Sequence, residues 1–186
     1  GRAEGGGPRR VSERDGVAHR IDLIEGTLAK GFGVLGGYLA GRGDMIDYVR
    51  SVASGLIFTT ALPPFIAAAA LASVRALKAG TERRDALAER ASVLKSALDA
   101  AGIPRLHTPS HIVPIPVSGA EACRQVARRM LAEHAIYVTP INYPTVPRGS
   151  ERLRLCATPL HTDAMLAALV EALGTVLPCR TQLAAE

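Results

Sequence analysis

Aromatic side chains are scarce in this chain: no tryptophan, three phenylalanines and four tyrosines make up 4% of its 186 residues. Single-stranded nucleic acid is usually held by such rings interleaved with basic clusters, and no such block occurs. The formal charge of +5 is modest, so nucleic acid is not expected as a partner, and a small anionic substrate or cofactor accounts for the charge as well. Cysteine is sparse as well. Cys123, Cys156 and Cys179 are odd in number and far apart, which suits a reducing compartment and no disulfide framework. Long apolar runs are missing. The richest, Ala61–Leu77, is broken by Pro63 and Pro64, and nothing approaches the ~20 residues that cross a bilayer, so no membrane partner is expected. The opening Gly and Arg lead into no apolar h-region, so a cytoplasmic setting is expected. Metal ligands are thin too. His107 and His111 are separated by Pro109, which spoils a shared helical face, and no third ligand lies at ligand spacing, so no metal is expected.

Lysine is the scarcest charge. Of 22 basic residues only Lys30, Lys78 and Lys95 are lysines. Arginine stays protonated in proteins and cannot be a carbonyl nucleophile, whereas a desolvated lysine can. Lys30 lies in the run from Glu25 to Tyr38, among Gly31, Gly33, Gly36 and Gly37, whose missing Cβ atoms let backbone or a flat ligand come close. Thr27, three residues earlier, offers a hydroxyl suited to an anion such as phosphate. The spacing is not that of a Walker P-loop, because Lys30 precedes its glycines. A solvated loop lysine is the competing reading of the same residues.

At 48% hydrophobic and 21% charged, the chain is globular, with room for one domain or for a small domain and part of another. The opening Gly1–Gly16 reads as an exposed loop. Ile21–Ile24 reads as a buried strand, Gly36–Ala40 as a second strand, and Asp44–Ala53 as a helix with acids near its start. Gly55–Leu62 reads as an apolar turn carrying Thr59 and Thr60, which suit capping or packing as readily as binding. Pro63-Pro64 opens an Ala-rich helix that Gly80 stops. The composition shifts at Gly80–Thr81, which sets the expected boundary between domains 1–80 and 81–186. Beyond it, Thr81 caps a helix with Leu87, Ala91, Leu94 and Leu98 on one face, ended by Gly102 and Pro104. Val113, Ile115 and Val117 alternate with Pro114 and Pro116, the mark of an edge strand. Ser118-x-x-Glu121 fits a capping box before a helix with Ala122, Val126 and Met130 on one stripe. Ile136–Val138 reads as a short strand and Pro140–Gly149 as a proline-stiffened loop. Arg152–Cys156 alternates, with Leu153 and Leu155 facing one way and Arg152 and Arg154 the other. Thr162 caps a last helix that buries Leu166, Leu169, Val170, Leu173 and Leu177. The second domain is thus a small α+β layer. Arg154 is either a solvated strand residue or, turned into a cleft, a bidentate clamp for a carboxylate.

Three stretches together resemble the α-oxoamine synthases, PLP (pyridoxal 5'-phosphate) enzymes of the aspartate-aminotransferase fold. Asp22–Gly33 with Gly36-Gly-Tyr38 looks like their cofactor-lysine segment. Phe58–Pro64 is similar to their phosphate-contacting turn. Tyr137–Gly149 followed by Glu151-Arg-Leu-Arg154 is the most specific, and looks like the 5-aminolevulinate synthase branch. The resemblance runs from about Val11 to the last helix. It implies an α/β chain: the C-terminal part of a fold-type I PLP-dependent transferase, with the end of the large-domain sheet, a linking helix and a small α+β domain. It implies that Lys30 binds PLP covalently and moves the glycine α-proton, that Thr27 contacts the phosphate, and that Thr59 and Thr60 reach the phosphate of a partner subunit's site in a homodimer. It implies that Arg154 grips the glycine carboxylate and Thr145 the carboxylate end of succinyl-CoA. It places an Asp-Glu-x-His motif, whose aspartate pairs with the pyridine nitrogen, just upstream of Gly1. Cys156-Ala-Thr-Pro159 departs from the Pro-Ser-Pro type of run more usual there. Two alternatives stay open: a relative using another acyl-CoA, and an incomplete piece that serves only to dimerise.

Overall fold

A computed structural model describes residue 12 and residues 15–177. Most of the Gly- and Arg-rich opening and Cys179 lie outside these described residues. Contacts divide the chain into two compact units, Gly1–Glu82 and Arg83–Glu186.

The first unit is built on a hairpin. Strands β1 (Leu23–Thr27) and β2 (Gly37–Gly41) pair antiparallel, with Glu25 opposite Leu39 and Thr27 opposite Gly37. The buried strand expected over Ile21–Ile24 is not found: Ile21 and Leu23 are exposed, and the strand starts two residues later. Its residues alternate exposed and half-buried, so the hairpin buries one face only in part. Helix α1 (Gly43–Val52) follows, with Asp44 in its first turn paired to Arg42. The stretch expected as a turn opens instead with a single helical turn, α2 (Ser54–Ile57). Helix α3 (Pro64–Ala79) starts with Pro64 in its first turn, where a missing N–H costs nothing, and ends at Gly80.

The second unit holds the hydrophobic core. Helix α4 (Glu82–Ala100) buries Ala91, Leu94 and Leu98 and stops before Gly102 at φ +66°. Strands β3 (Ile112–Pro116), β4 (Thr139–Ile141) and β5 (Arg152–Cys156) form an antiparallel sheet in the order β3-β5-β4. Val113, Ile115, Leu153 and Leu155 share its core face, each worth ~1.5–3 kcal/mol of burial. The prolines Pro114, Pro116 and Pro140 all lie in the two outer strands, where a missing donor is tolerated.

Helix α5 (Ala120–His134) buries Cys123, Val126 and Met130, one position round from the expected stripe at Ala122. The expected capping box is absent. Gly119, not Ser118, is the N-cap, with no side-chain cap of its own, and the Glu121 carboxylate accepts from Arg124 and Gln125 instead. Ala135 takes a left-handed conformation at the helix end, and the chain needs Ile136–Val138 to swing back, so β4 forms three residues later than expected. Pro140 accordingly belongs to a strand rather than to the loop. Helix α6 (Asp163–Val176) is capped by Thr162, whose Oγ1 accepts from the Met165 N–H at 3.2 Å. It buries Leu166, Ala172, Leu173 and Val176, while Leu169, Val170 and Leu177 pack part-buried against the core. Arg90 of α4 pairs with Asp163 at its start.

Candidate functional site

Lys30 sits in the loop that joins β1 to β2, exposed. Local hydrogen bonds set that loop. Leu28 N–H donates to Gly36 C=O at 2.8 Å, Val34 N–H to Leu28 C=O at 3.0 Å, and Gly33 N–H to Lys30 C=O at 2.9 Å. Gly33 and Gly36 take φ of +70° and +107°, a region that L side chains rarely occupy. Leu28, the buried apolar residue of this unit among those described, anchors the near end. Phe32 packs edge-on against Tyr38 at 6.0 Å, and its C=O accepts from Ser73 Oγ of α3 at 2.8 Å. A Cβ on Gly26 would lie 2.3 Å from the Tyr38 ring, so that glycine makes room for the ring.

Thr27 ends β1 on the same hairpin, exposed, its Oγ1 accepting from the Ala29 N–H at 3.1 Å. Its own O–H remains able to donate to an anion. A Cβ at Gly31 or Gly33 would meet nothing within 4 Å, so the loop beside the amine is open to a flat group. Thr59 and Thr60 are exposed in the stretch between α2 and α3 of this unit, next to Phe58, which is 86% exposed.

In the second unit Arg154 occupies the central strand. Pro114 lies opposite it on β3 and Thr139 opposite it on β4, so these three share the sheet face turned away from the core. Arg154 lines a cavity of about 620 Å³ with Tyr137, Thr139, Cys156, Thr158 and His161. The cavity opens where Ile136–Val138 diverges from β5, and β4 pairs for only three residues. Thr145 is exposed in the loop between β4 and β5 and does not line that cavity; its N–H donates to Asn142 C=O at 2.9 Å. The Tyr143–Pro144 bond in the same loop is cis, and Arg148 lies 4.7 Å over the Tyr143 ring.

Two features escaped sequence reasoning. Thr139 flanks Arg154 only through the register of β4, which the expected strand at Ile136–Val138 would have misplaced. Glu151, at 5% exposure, is the buried charged residue among those described. Its own backbone N–H, and then those of Gly149 and Gly119, hold its pKa below the ordinary glutamate range against the effect of burial, and its Oε2 is buried without a hydrogen-bond partner. Nothing local in the sequence marks it, because Gly119 is far away along the chain.

A family model for aminotransferase class I and II matches residues 3–173. The chain is 53% identical over 169 residues to 5-aminolevulinate synthase of Bradyrhizobium diazoefficiens, covering 90% of this chain and 41% of that protein. It is 54% identical to 5-aminolevulinate synthase 2 of Cereibacter sphaeroides, covering 91% and 42%. The mitochondrial non-specific enzyme of Gallus gallus is 46% identical, covering 92% and 27%. Among solved structures, serine palmitoyltransferase of S. paucimobilis with bound PLP-myriocin superposes with a TM-score of 0.83 at 28% identity, covering 90% of this chain and 42% of that one. The chain thus spans about two-fifths of the length of its bacterial relatives. It belongs to the class I and II aminotransferase family, of fold-type I, and is homologous over nine-tenths of its length to 5-aminolevulinate synthases.

Proposed function

We propose that this chain is the C-terminal part of a cytoplasmic, homodimeric, PLP-dependent acyltransferase that condenses glycine with succinyl-CoA to 5-aminolevulinate, CoA and carbon dioxide. The observation that carries the reading is the hairpin loop: the scarce amine of Lys30 and the hydroxyl of Thr27 are displayed together, exposed, beside glycines with open space where a Cβ would be. That donor set fits PLP, which needs an amine for its aldehyde, donors for its phosphate and a flat approach. When bound, PLP supplies the electron sink for carbanion chemistry at the glycine α-carbon.

The chain's own residues supply the rest. Lys30 would hold the cofactor and serve as the base for the glycine α-proton. Thr27 would donate to the phosphate, and Thr59 and Thr60 would do so in the site of a second copy. Arg154, whose five N–H groups match a carboxylate bidentately, would orient glycine. Thr145 would meet the far carboxylate of the succinyl group. Holding both reactants in attack geometry can be worth ~7–11 kcal/mol in favourable intramolecular cases.

Incubating the protein that contains this chain with PLP, then reducing with borohydride, tests the reading. Label on Lys30 alone supports it; label spread evenly over Lys30, Lys78 and Lys95 overturns it. The likeness to serine palmitoyltransferase favours a second reading, a relative using another acyl-CoA. Assays with glycine and succinyl-, acetyl- or pimeloyl-CoA separate the two, and a preference for anything but succinyl-CoA refutes the role given to Thr145.

A further inference from the structure

Helix α3 carries one polar residue on its half-buried stripe. Ile66, Ala70, Ser73, Val74 and Leu77 recur at helical spacing and are each partly covered, and Ser73 alone among them bears a hydroxyl. The rest of the helix is rich in alanine, the best helix former, and Ser73 weakens that run. A serine inside a helix commonly bonds back to the carbonyl four residues earlier. Ser73 Oγ instead donates to the Phe32 C=O at 2.8 Å, across 41 residues of chain, in a part-buried setting.

That bond lands inside the loop that bears Lys30. The Gly33 N–H donates to the Lys30 C=O at 2.9 Å, so Lys30–Gly33 is a tight turn and Phe32 is its third residue. The other backbone bonds of the loop, Leu28 to Gly36 and Val34 to Leu28, join its own two sides. They set its shape and leave its tilt free. Among the described residues, the Ser73 bond is the one hydrogen bond that ties this loop to an element outside the hairpin. The Phe32 ring packs edge-on against Tyr38 of β2 at 6.0 Å, which fastens the same residue from the hairpin side. A Cβ at Gly36 would come within 2.9 Å of Leu62, so the chain just before α3 also lies against the loop.

We propose that Ser73 is a positioning residue for Lys30: its hydroxyl, by holding the Phe32 carbonyl, fixes the Lys30–Gly33 turn against α3 and so sets where the Lys30 amine stands for the cofactor, which Ser73 itself does not touch. This rests on the reading that Lys30 binds PLP. The test uses the full-length enzyme containing this chain. Ser73→Ala removes the donor and suits the helix better, so a loss cannot be laid to the helix. Ser73→Thr keeps the donor. Lys30→Ala is the control that locates the borohydride label.

Ser73→Ala is expected to raise the PLP dissociation constant roughly three- to tenfold, read from the absorbance of the bound cofactor, the range for one neutral hydrogen bond. The rate at which label appears on Lys30 falls with it, and kcat falls at least roughly tenfold while the KM for succinyl-CoA holds. Ser73→Thr restores all three. A lower melting temperature with unchanged PLP binding would make Ser73 a support of the fold only, and overturns the proposal. So does a Ser73→Thr variant that behaves like Ser73→Ala. If Lys78 or Lys95 takes the label in place of Lys30, or Lys30→Ala is labelled as before, the reading of Lys30 fails, and this proposal with it. If the label falls on Lys30 alone and Ser73→Ala binds PLP as tightly as the unsubstituted enzyme, this proposal fails alone. Should Ser73→Ala not fold, Ser73→Cys, similar in shape with a weaker donor, carries the test with a smaller rise in the same constant.

Discussion

Three lysines separate cleanly by what holds their amines. Lys30 and Lys78 are exposed. Lys95 donates to the carbonyls of Thr108 and Ser110 at 2.9 and 2.7 Å. Burial pushes the Lys95 amine down, which on reactivity alone would favour it, but those two carbonyls occupy its protons. Lys30→Arg keeps the charge and loses the nucleophile. Its expected outcome is loss of PLP labelling and at least a thousandfold lower activity, about 4 kcal/mol at the transition state, read by product formation. Lys30 was legible in the sequence through scarcity and flanking glycines. Glu151 was not, because its burial and the nearness of the Gly119 N–H come only with the folded chain. Since its own N–H, and then those of Gly149 and Gly119, hold its pKa below the unfolded value of ~4.3, it contributes stability fully above that pH and loses it as pH falls through the folded value. As pH falls below about 4.3 the melting temperature of the unsubstituted protein should therefore fall more steeply than that of Glu151→Gln.

At the scale of elements, two of the expected caps fared differently. Thr162 caps α6, and Thr162→Ala should cost about 0.5–2 kcal/mol in chemical denaturation, with Thr162→Ser restoring most of it. Ser118 does not cap α5, and Ser118→Ala should be near neutral by the same measurement. A capping box is a local pattern, and here Gly119 at φ +87° takes the N-cap position while Glu121 pairs with Arg124. The hairpin loop offers a second contrast. A Cβ at Gly36, at φ +107°, would sit 2.9 Å from Leu62, whereas one at Gly31 meets nothing. Gly36→Ala should weaken PLP labelling of Lys30 well below the level of Gly31→Ala. Period-2 and helical patterning located β3, β5, α4 and α6 well, because the core enforces register there. It misplaced β1 and β4, where Gly26 and Pro140 blur the alternation and few partners fix the start.

For the whole molecule, burial is uneven. Among the described residues Leu28 is the one buried apolar side chain of the first unit, while large apolar side chains such as Phe65 at 72% and Leu35 at 68% are exposed there. The second unit packs Leu98, Val113, Ile115, Leu153 and Leu173 to full burial. In hydrogen exchange, β5 and α5 should be protected longest and the β1–β2 hairpin least. The proposed shared site makes its own prediction for the full-length enzyme. Mixing Lys30→Ala subunits with subunits carrying both Thr59→Ala and Thr60→Ala should restore about a quarter of wild-type activity, since half of randomly reassorted dimers hold one intact site of two. No recovery would place each site within one chain. The prolines of the small sheet carry a last consequence. Both of its margins include residues without an amide hydrogen, and the Leu106 N–H already occupies the Pro114 carbonyl at 2.9 Å. A further strand, from a neighbouring molecule or a passing peptide, finds too few donors and acceptors to dock. The unit that bears Arg154 is thereby guarded against fibril-like recruitment, and any association through it must use side chains rather than backbone.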